Sequence, residues 1–395
     1  MHLAVLNWRD PWQQTAGGAE AFAHEIALGF VARGASVDFL TCREPGQPAS
    51  ELRDGIRWLR RGGRWTVYPA VISRLIRERL CGRHYDFVLD CQNGIPFFSP
   101  LAVSRRRTGV AIIVHHVHDN QFQTHFSRPV AAIGSFLEGP VARRVYRRCV
   151  AVAVSASTVA AMRDRLHWTG PIELIHNGVH HETVPTLTPP TPTPPTPIIP
   201  TSTSTPRLVA VGRLVRHKRL DHLLHLATTL STEWPGLELH IIGRGPEETR
   251  LRETAAQLPL PPTTRVCIHG HLPDEAKKGL LKTASIHLSA SQGEGWGLSV
   301  LEAAALGVPT VAYDVDGLRD AIQNGATGWL VPPGATLTET VSGALKELSA
   351  DPTRAATIRG ACLDWAASFD WEHTRNAMAQ LAVRNSRSPG TRTTK

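Results

Sequence analysis

Short apolar runs, bare of polar alternation, recur along the chain and are separated by stretches with helical spacing. In the first half they are Leu3 to Leu6, Ser36 to Leu40, Phe87 to Leu89, Val110 to Val114, Ala151 to Val154 and Ile172 to Ile175. In the second half they are Leu208 to Val211, Leu237 to Ile242, Arg265 to Ile268, Ile286 to Ser289 and Thr310 to Ala312. Strands that are apolar on both sides belong to parallel sheets covered by helices on both faces. The two series therefore predict two doubly wound α/β domains. Between Pro185 and Pro206, 9 of 22 residues are Pro and 8 are Thr, a composition that favours extended chain and cannot build a core. The expected layout is a first domain over 1–182, a Pro/Thr-rich linker over 183–206 and a second domain from 207 to 368.

At 395 residues the chain is long enough for two cores. No apolar run approaches the ~18 residues that a membrane-spanning helix needs, so an integral membrane protein is not expected. The opening Met1 to Leu6 has no basic region before it and runs into Asn7-Trp8-Arg9-Asp10, so it reads as a buried strand rather than a signal peptide. A cytoplasmic protein is the expectation. The six cysteines include no Cys-x-x-Cys pair, which implies neither a disulfide framework nor a zinc site, and no metal-binding residue is named. Charge is uneven: residues 1–180 hold 22 Arg against 14 acids, whereas the remainder is nearly balanced. A basic half suits a phosphorylated substrate or a peripheral contact with an anionic membrane at its inner face. Nucleic acid is not expected, because the basic runs lack interleaved aromatics.

In open α/β sheets, ligands bind beyond the carboxyl ends of strands, so chemistry is sought there. After the first strand, Gly17 and Gly18 open a helix through Ala19-Glu20, where backbone amides can approach an anion. The strand Val209 to Val211 leads into Gly212-Arg213-Leu214-Val215-Arg216-His217-Lys218, placing two cations, Arg213 and Lys218, on one short loop suited to a diphosphate. Farther on, Gly293-Glu294-Gly295-Trp296-Gly297 precedes a helix that starts near Leu298 and Ser299 and contains Glu302. Free amides at its start suit phosphate oxygens. Carboxylates do not favourably face phosphate, so Glu294 and Glu302 are assigned to hydroxyl groups of a sugar or ribose.

These residues resemble the retaining nucleotide-sugar glycosyltransferases of family 4. The matching motifs are Gly-Gly-Ala-Glu at 17–20, Gly-Arg-x4-Lys at 212–218, Glu-x7-Glu at 294 and 302, and Asn-Gly-Ala-Thr-Gly-Trp-Leu-Val at 324–331. The resemblance implies the GT-B fold, two Rossmann-like doubly wound domains facing across a cleft, with segment 369–385 a helix returning to the first domain and 386–395 a disordered tail. It implies transfer of a hexosyl unit from a nucleotide diphosphate sugar to a hydroxyl acceptor that the sequence does not identify, with no cofactor besides that donor. Arg213 and Lys218 would hold the diphosphate, Glu294 the transferred sugar and Glu302 the ribose. Gly297, Leu298 and Ser299 would complete the phosphate cradle, with Gly17 and Gly18 closing from the other domain and His271 following the segment that meets the base. His118, preceding Asp119, matches a histidine near the reaction centre, with His115 or His116 as alternatives. Arg219 departs from the family by replacing a glycine after the loop lysine, as do Asp316-Gly317 and Asp320 where Gly-Gly and Glu are common. An epimerase or phosphorylase on the same fold, or a non-catalytic sugar-nucleotide-binding protein, is the rival reading. Finally, Arg143, Arg144, Arg147 and Arg148 have the spacing of one basic helical face.

Overall fold

The computed structural model describes residues 1–13, 16–118, 127–180 and 205–386. Nearly all of the Pro/Thr-rich segment, Asp119 and the tail from 387 lie outside the described residues. The chain divides into two compact units, one formed by Met1–Gly178 with the segment from Trp371 onward, the other by Val179–Asp370.

In the first unit the expected apolar runs form strands, with β1 at His2–Leu6, β2 at Ser36–Thr41, β5 at Phe87–Gln92, β6 at Gly109–Val114, β7 at Val150–Ala153 and β8 at Ile172–Leu174. Two further strands, β3 (Ser50–Arg53) and β4 (Ile56–Arg60), complete an eight-stranded sheet of order β3-β4-β2-β1-β5-β6-β7-β8. Only β3 runs antiparallel. It is exposed along most of its length and polar, so it carries no apolar run to betray it. Helices α1 (Gly18–Ala32), α2 (Val67–Leu80), α3 (Arg128–Phe136), α4 (Ala142–Tyr146) and α5 (Ala156–Asp164) belong to the same unit. Every residue of β5 and β6 is buried, which is why the sheet's centre reads as unbroken hydrophobicity ending in the polar Asp90 and Gln92.

The Arg-rich stretch departs from expectation. A π-helical turn over Leu137–Val141, containing Pro140, leads into α4, which stops at Tyr146. Arg147 and Arg148 lie beyond the helix, so no single helical face carries all four arginines. Tyr146 is buried, and its hydroxyl hydrogen-bonds to the fully buried Asp90.

The second unit is a six-stranded parallel sheet of order β11-β10-β9-β12-β13-β14. Its strands are β9 (Arg207–Val211), β10 (Glu238–Ile242), β11 (Arg265–Gly270), β12 (Ile286–Ser289), β13 (Thr310–Tyr313) and β14 (Gly328–Val331). Counted within the unit this is 3-2-1-4-5-6, the order of dinucleotide-binding sheets, with the winding direction reversing between β9 and β12. Its helices are α6 (Leu220–Leu230), α7 (Glu248–Ala256), α8 (Asp274–Lys282), α9 (Leu298–Ala304), α10 (Leu318–Ala321), α11 (Leu337–Ala350) and α12 (Pro352–Ala367).

The last helix, α13 (Trp371–Asn385), packs on the first unit. Its buried face, Trp371, Met378, Leu381 and Ala382, is accompanied by ion pairs from Arg375 to Glu25 and from Glu372 to Arg33. Among the described residues no helix is long and apolar enough to cross a membrane. All six cysteines are free, and four are buried, as small hydrophobes are, while Cys81 is exposed and Cys267 partly so.

One buried side chain makes the fold acid-sensitive. His287 on β12 is wholly enclosed, donating to or accepting from Thr310 Oγ1 at 3.1 Å, and burial holds its pKa down to about 3 against an ordinary 6.5. The unfolded chain therefore binds a proton that the folded chain refuses, so this contribution to stability is complete above pH 6.5 and is lost as pH falls towards 3. Within that window the slope is up to ~1.4 kcal/mol per pH unit. His287→Asn keeps a polar atom near Thr310 but cannot titrate. Its urea midpoint should fall less between pH 7 and pH 4.5 than that of wild type; parallel curves would refute the assignment.

Candidate functional site

The reversal between β9 and β12 decides which loops meet. Leu208 and Val209 pair with Ile286 and His287, so the loop leaving β9 and the loop leaving β12 emerge side by side. They are stitched where Gln292 N donates to His217 O at 2.8 Å. Lys218 of the first loop then reaches Glu294 of the second, with its Nζ bonded to Glu294 Oε1. Ser291 Oγ donates to the same oxygen at 2.7 Å. Both bonds fall on Oε1. Burial pushes the Glu294 carboxyl up, but Lys218, the Ser291 hydroxyl and His217 together pull it below its ordinary value, keeping it ionised.

Two devices fix this pair in place. Arg219, next to the loop lysine, adopts the left-handed region at φ 48 and ψ 45 and caps α6. Its Nε donates to Ala290 O at 2.7 Å and its Nη2 to Ser291 O at 2.8 Å, while the guanidinium lies 4.3 Å from the centre of the Tyr313 ring. Arg219 therefore holds a backbone conformation that favours glycine and uses its side chain to hold the opposite loop. The second device is Gly317, at φ +77. Glu294 N donates to Asp316 O at 2.9 Å, and a Cβ on Gly317 would lie 2.3 Å from Glu294 O. Only glycine permits that approach.

The other expected donor residues lie on the loops and helix starts of the same unit. A Cβ on Gly243, after β10, would lie 1.8 Å from Gly212 O, so this glycine serves the packing of two loops on one another. Arg213 is half-buried on the β9 loop. At the start of α9, Val300 N bonds back to Gly297 O at 2.9 Å, while the amides of Gly297, Leu298 and Ser299 donate to no acceptor among the described residues. Glu302 is not part of the Lys218 pair. It accepts from Lys277 Nζ of α8 at 3.2 Å, and Lys277 also reaches Asp274 at 3.3 Å. His271 is exposed just beyond β11. Asp314 and Asp316 are both engaged by Arg319, at 2.7 and 3.4 Å.

In the first unit Gly17 caps α1, but its amide already donates to Glu20 Oε2 at 2.7 Å. Glu20 is buried and lies 3.4 Å from Arg9. Of the three histidines after β6, His116 and His118 are both part-exposed, with ring centres 5.4 Å apart, and His115 is buried. His115 is enclosed against Phe22, and burial, with His118 nearby, holds its pKa down to about 3. His118 is part-exposed, and its backbone N and ring Nδ1 both meet Glu138, at 2.9 and 3.1 Å from Oε1. Glu138, fully buried on the π-helical turn, also accepts from Gln92 Nε2 at 3.3 Å. Glu138 and Ser291 went unnoticed in the sequence. For Glu138 the signal would have been an acid in an otherwise apolar stretch, and for Ser291 its place three residues before Glu294.

Two family models match the chain, described as "Glycosyl transferases group 1" over residues 198–361 and "Glycosyltransferase Family 4" over residues 16–183. A D-inositol 3-phosphate glycosyltransferase of Rhodococcus erythropolis is 34% identical over 175 residues, covering 43% of this chain and 39% of that protein. The match thus spans about two fifths of that relative's length. A GDP-mannose:cellobiosyl-diphosphopolyprenol alpha-mannosyltransferase of Komagataeibacter xylinus is 26% identical over 398 residues, 96% of this chain and 92% of the relative. Among solved structures, a sucrose-phosphate synthase from Thermosynechococcus elongatus superposes with a TM-score of 0.76 at 19% identity, covering 97% of this chain and 98% of that one. That likeness supports a GT-B fold of two Rossmann-like units.

The Arg219 brace makes a separable prediction. Arg219→Ala leaves two carbonyls unsatisfied and an alanine in the left-handed region, whereas Arg219→Gly loses only the bonds. Both should unfold at lower urea than wild type, with the glycine variant the more stable of the two by ~1 kcal/mol. A glycine variant as stable as wild type would show that the guanidinium contacts contribute nothing.

Proposed function

This chain belongs to the glycosyltransferases that those two family models describe, and we propose that it is a retaining family 4 hexosyltransferase, moving a hexosyl unit from a nucleotide diphosphate sugar to a hydroxyl acceptor. The observation that carries the reading is the Lys218–Glu294 pair at the winding reversal of the second unit, next to the unengaged amides of Gly297, Leu298 and Ser299. A diphosphate meeting Arg213, Lys218 and those amides would have its developing charge neutralised as the glycosidic bond breaks. Metal is dispensable for that step in this reading, since the cations and amides meet the electrostatic demand. Glu294 presents Oε2 to the transferred sugar, and Glu302 shares its carboxylate between Lys277 and the ribose hydroxyls. His271 lies on the base side. No side chain is assigned as a nucleophile, so retention follows from displacement on the same face through an oxocarbenium-like state, the departing diphosphate assisting removal of the acceptor proton. Gly17, Gly18 and His118 of the first unit are proposed contributors to the same reaction, His118 being aligned by Glu138.

The acceptor is proposed to be presented at an anionic membrane surface. What supports this is the outward face of α3, where Val130, Ile133 and Phe136 are 47%, 61% and 59% exposed at three-residue spacing, close in sequence to the exposed Arg144, Arg147 and Arg148. A relative named for a diphosphopolyprenol acceptor is consistent with it. Sedimentation with vesicles containing about a third anionic lipid should carry down wild type at low salt but not Ile133→Glu/Phe136→Glu. Equal sedimentation of both proteins would refute the surface.

The transfer reading is tested by screening nucleotide sugars for thermal stabilisation and following the best by proton NMR of the product's anomeric centre. Lys218→Ala should lower transfer by about 100-fold or more while the fold persists. The glutamates should differ in kind: Glu302→Gln raises the donor KM, because a ribose contact is the same in ground and transition states, whereas Glu294→Gln lowers kcat. Loss of affinity for the bare nucleoside diphosphate in Glu294→Gln but not in Glu302→Gln would reverse the two roles. An inverted product would overturn the retaining assignment.

A further inference from the structure

Two residues before His271, which the proposed function places on the base side, the edge of the second sheet gathers a constellation that the transfer reaction as proposed does not use. His240 on β10 stands directly opposite Cys267 on β11. The register slips between Ile241 and Ile242, which pair with Ile268 and Gly270, so His269 is the extra residue of a bulge. That bulge turns its ring parallel to that of His240, with an interplanar angle of 10°. Bulges of this kind re-aim single side chains. As a result one donor atom each of His240, Cys267 and His269 falls within 4.8 Å of the others.

The hydrogen-bond chemistry says which lone pairs converge. His240 Nε2 lies 3.4 Å from Glu238 Oε2, and Glu238 is itself held by Arg207 through Nε at 2.8 Å. An ionised carboxylate can only accept, so Nε2 carries the proton and Nδ1 of a neutral imidazole is a bare lone pair. That lone pair points at His269 Nε2, 2.9 Å away. In the absence of a cation the two nitrogens share a proton supplied by His269. Moving that proton to Nδ1 of His269, and releasing the Cys267 thiol proton to solvent as a cation binds, would leave two imidazole lone pairs and a thiolate within 4.8 Å of one another. An imidazole whose far nitrogen donates to a fixed carboxylate is the arrangement that orients metal-bound histidines.

We propose that His240, Cys267 and His269 bind one late first-row divalent cation of the zinc class through Nδ1, Sγ and Nε2, with water completing a tetrahedral site. Two nitrogens and a sulfur suit a borderline-soft ion and exclude magnesium and calcium, which take oxygen. Three protein ligands with an open fourth position is an established zinc geometry. The site is reachable, because Cys267 and His269 are only partly covered. Since β11 is an edge strand bonded only to β10, the cation would fasten that edge. Spacing along the chain hides the site, as His240 and Cys267 are brought together only by strand pairing, and this is why the cysteine pattern predicts no metal residues.

The test uses the full chain, reduced and stripped with a chelator, titrated with CoCl2 and followed by absorption. One equivalent should produce intense tetrahedral d–d bands and a thiolate-to-cobalt charge-transfer band, both displaced by ZnCl2. ZnCl2 should also raise the unfolding midpoint of wild type. Cys267→Ser, or Cys267→Ala should the serine variant fold poorly, should lose the charge-transfer band, and His269→Gln should lose the midpoint rise. Glu238→Gln, which removes only the orienting carboxylate, should weaken cobalt binding by ~10- to 100-fold. A charge-transfer band unchanged in both Cys267 variants would place the thiolate elsewhere, for example at the exposed Cys81. A weak octahedral spectrum alone would mean adventitious binding to surface histidines, and either result would overturn the proposal. No step depends on glycosyl transfer, so the site stands or falls separately from that function.

Discussion

The ion pair between Lys218 and Glu294 exists because β9 and β12 are neighbours although three strands apart in sequence order, counted through β10 and β11. A half-buried lysine and glutamate are costly to desolvate, and such a pair is weak evidence for stability on its own. Removing either partner leaves an uncompensated charge, which is far worse. The surroundings are built to keep the two together. His287 beneath them stays neutral, held there chiefly by burial and further by the charge of Lys218. Ser291 supplies a second donor to Glu294, and the Asp316-Gly317 turn clamps the glutamate's backbone. In the proposed transfer, a pair held this firmly would serve as a preorganised cation and a preorganised acceptor, which is what stabilising a developing charge requires.

The first unit follows the same logic with different groups. Its central strand β5 ends in Asp90 and Gln92, both fully buried. Burial pushes the Asp90 carboxyl above its usual range, against the pull of Tyr146, Ser99 and the Phe97 amide that donate to it. This knot pins the chain after β5. Glu138, aimed inward from a π-helical turn, ties Gln92 to His118. A π-turn interrupts an otherwise α-helical path, and its cost is offset where it delivers a side chain that a regular helix would misdirect. His118 is thereby held at both its backbone and its ring, a fixed imidazole rather than a mobile loop residue.

Strands with apolar residues on both faces were legible from the apolar runs along the chain, and so were the loops that follow them. Two kinds of feature were not. Strand β3 is exposed along most of its length, and β4 alternates buried with less buried positions; both carry charges, so a search for unbroken apolar runs passes over them. Pairings distant in sequence were equally hidden. Lys218 and Glu294 were each assigned to the site, but nothing along the chain said they would bond each other, or that Glu302 would pair with Lys277. The Arg-rich stretch was misread because i, i+4 spacing assumes an uninterrupted α-helix, and the π-turn at Pro140 and the stop at Tyr146 remove that assumption.

Arg219 shows how a departure from a family pattern can be read physically. The loop demands a left-handed residue where the β9 loop enters α6, and a non-glycine residue there costs roughly 1–2 kcal/mol. Against this stand two charge-assisted bonds, each of a kind that contributes ~1.5–3 kcal/mol, and a guanidinium stacked on Tyr313. Burial lowers the Arg219 pKa from its ordinary value, but a guanidinium keeps its proton in proteins, so the charge that makes these bonds strong is retained. The balance favours arginine. Its effect falls on Ala290 and Ser291, the residues just ahead of Glu294, so replacing the glycine trades backbone freedom beside the lysine for rigidity beside the glutamate. The two halves of the ion pair are thus braced by one side chain.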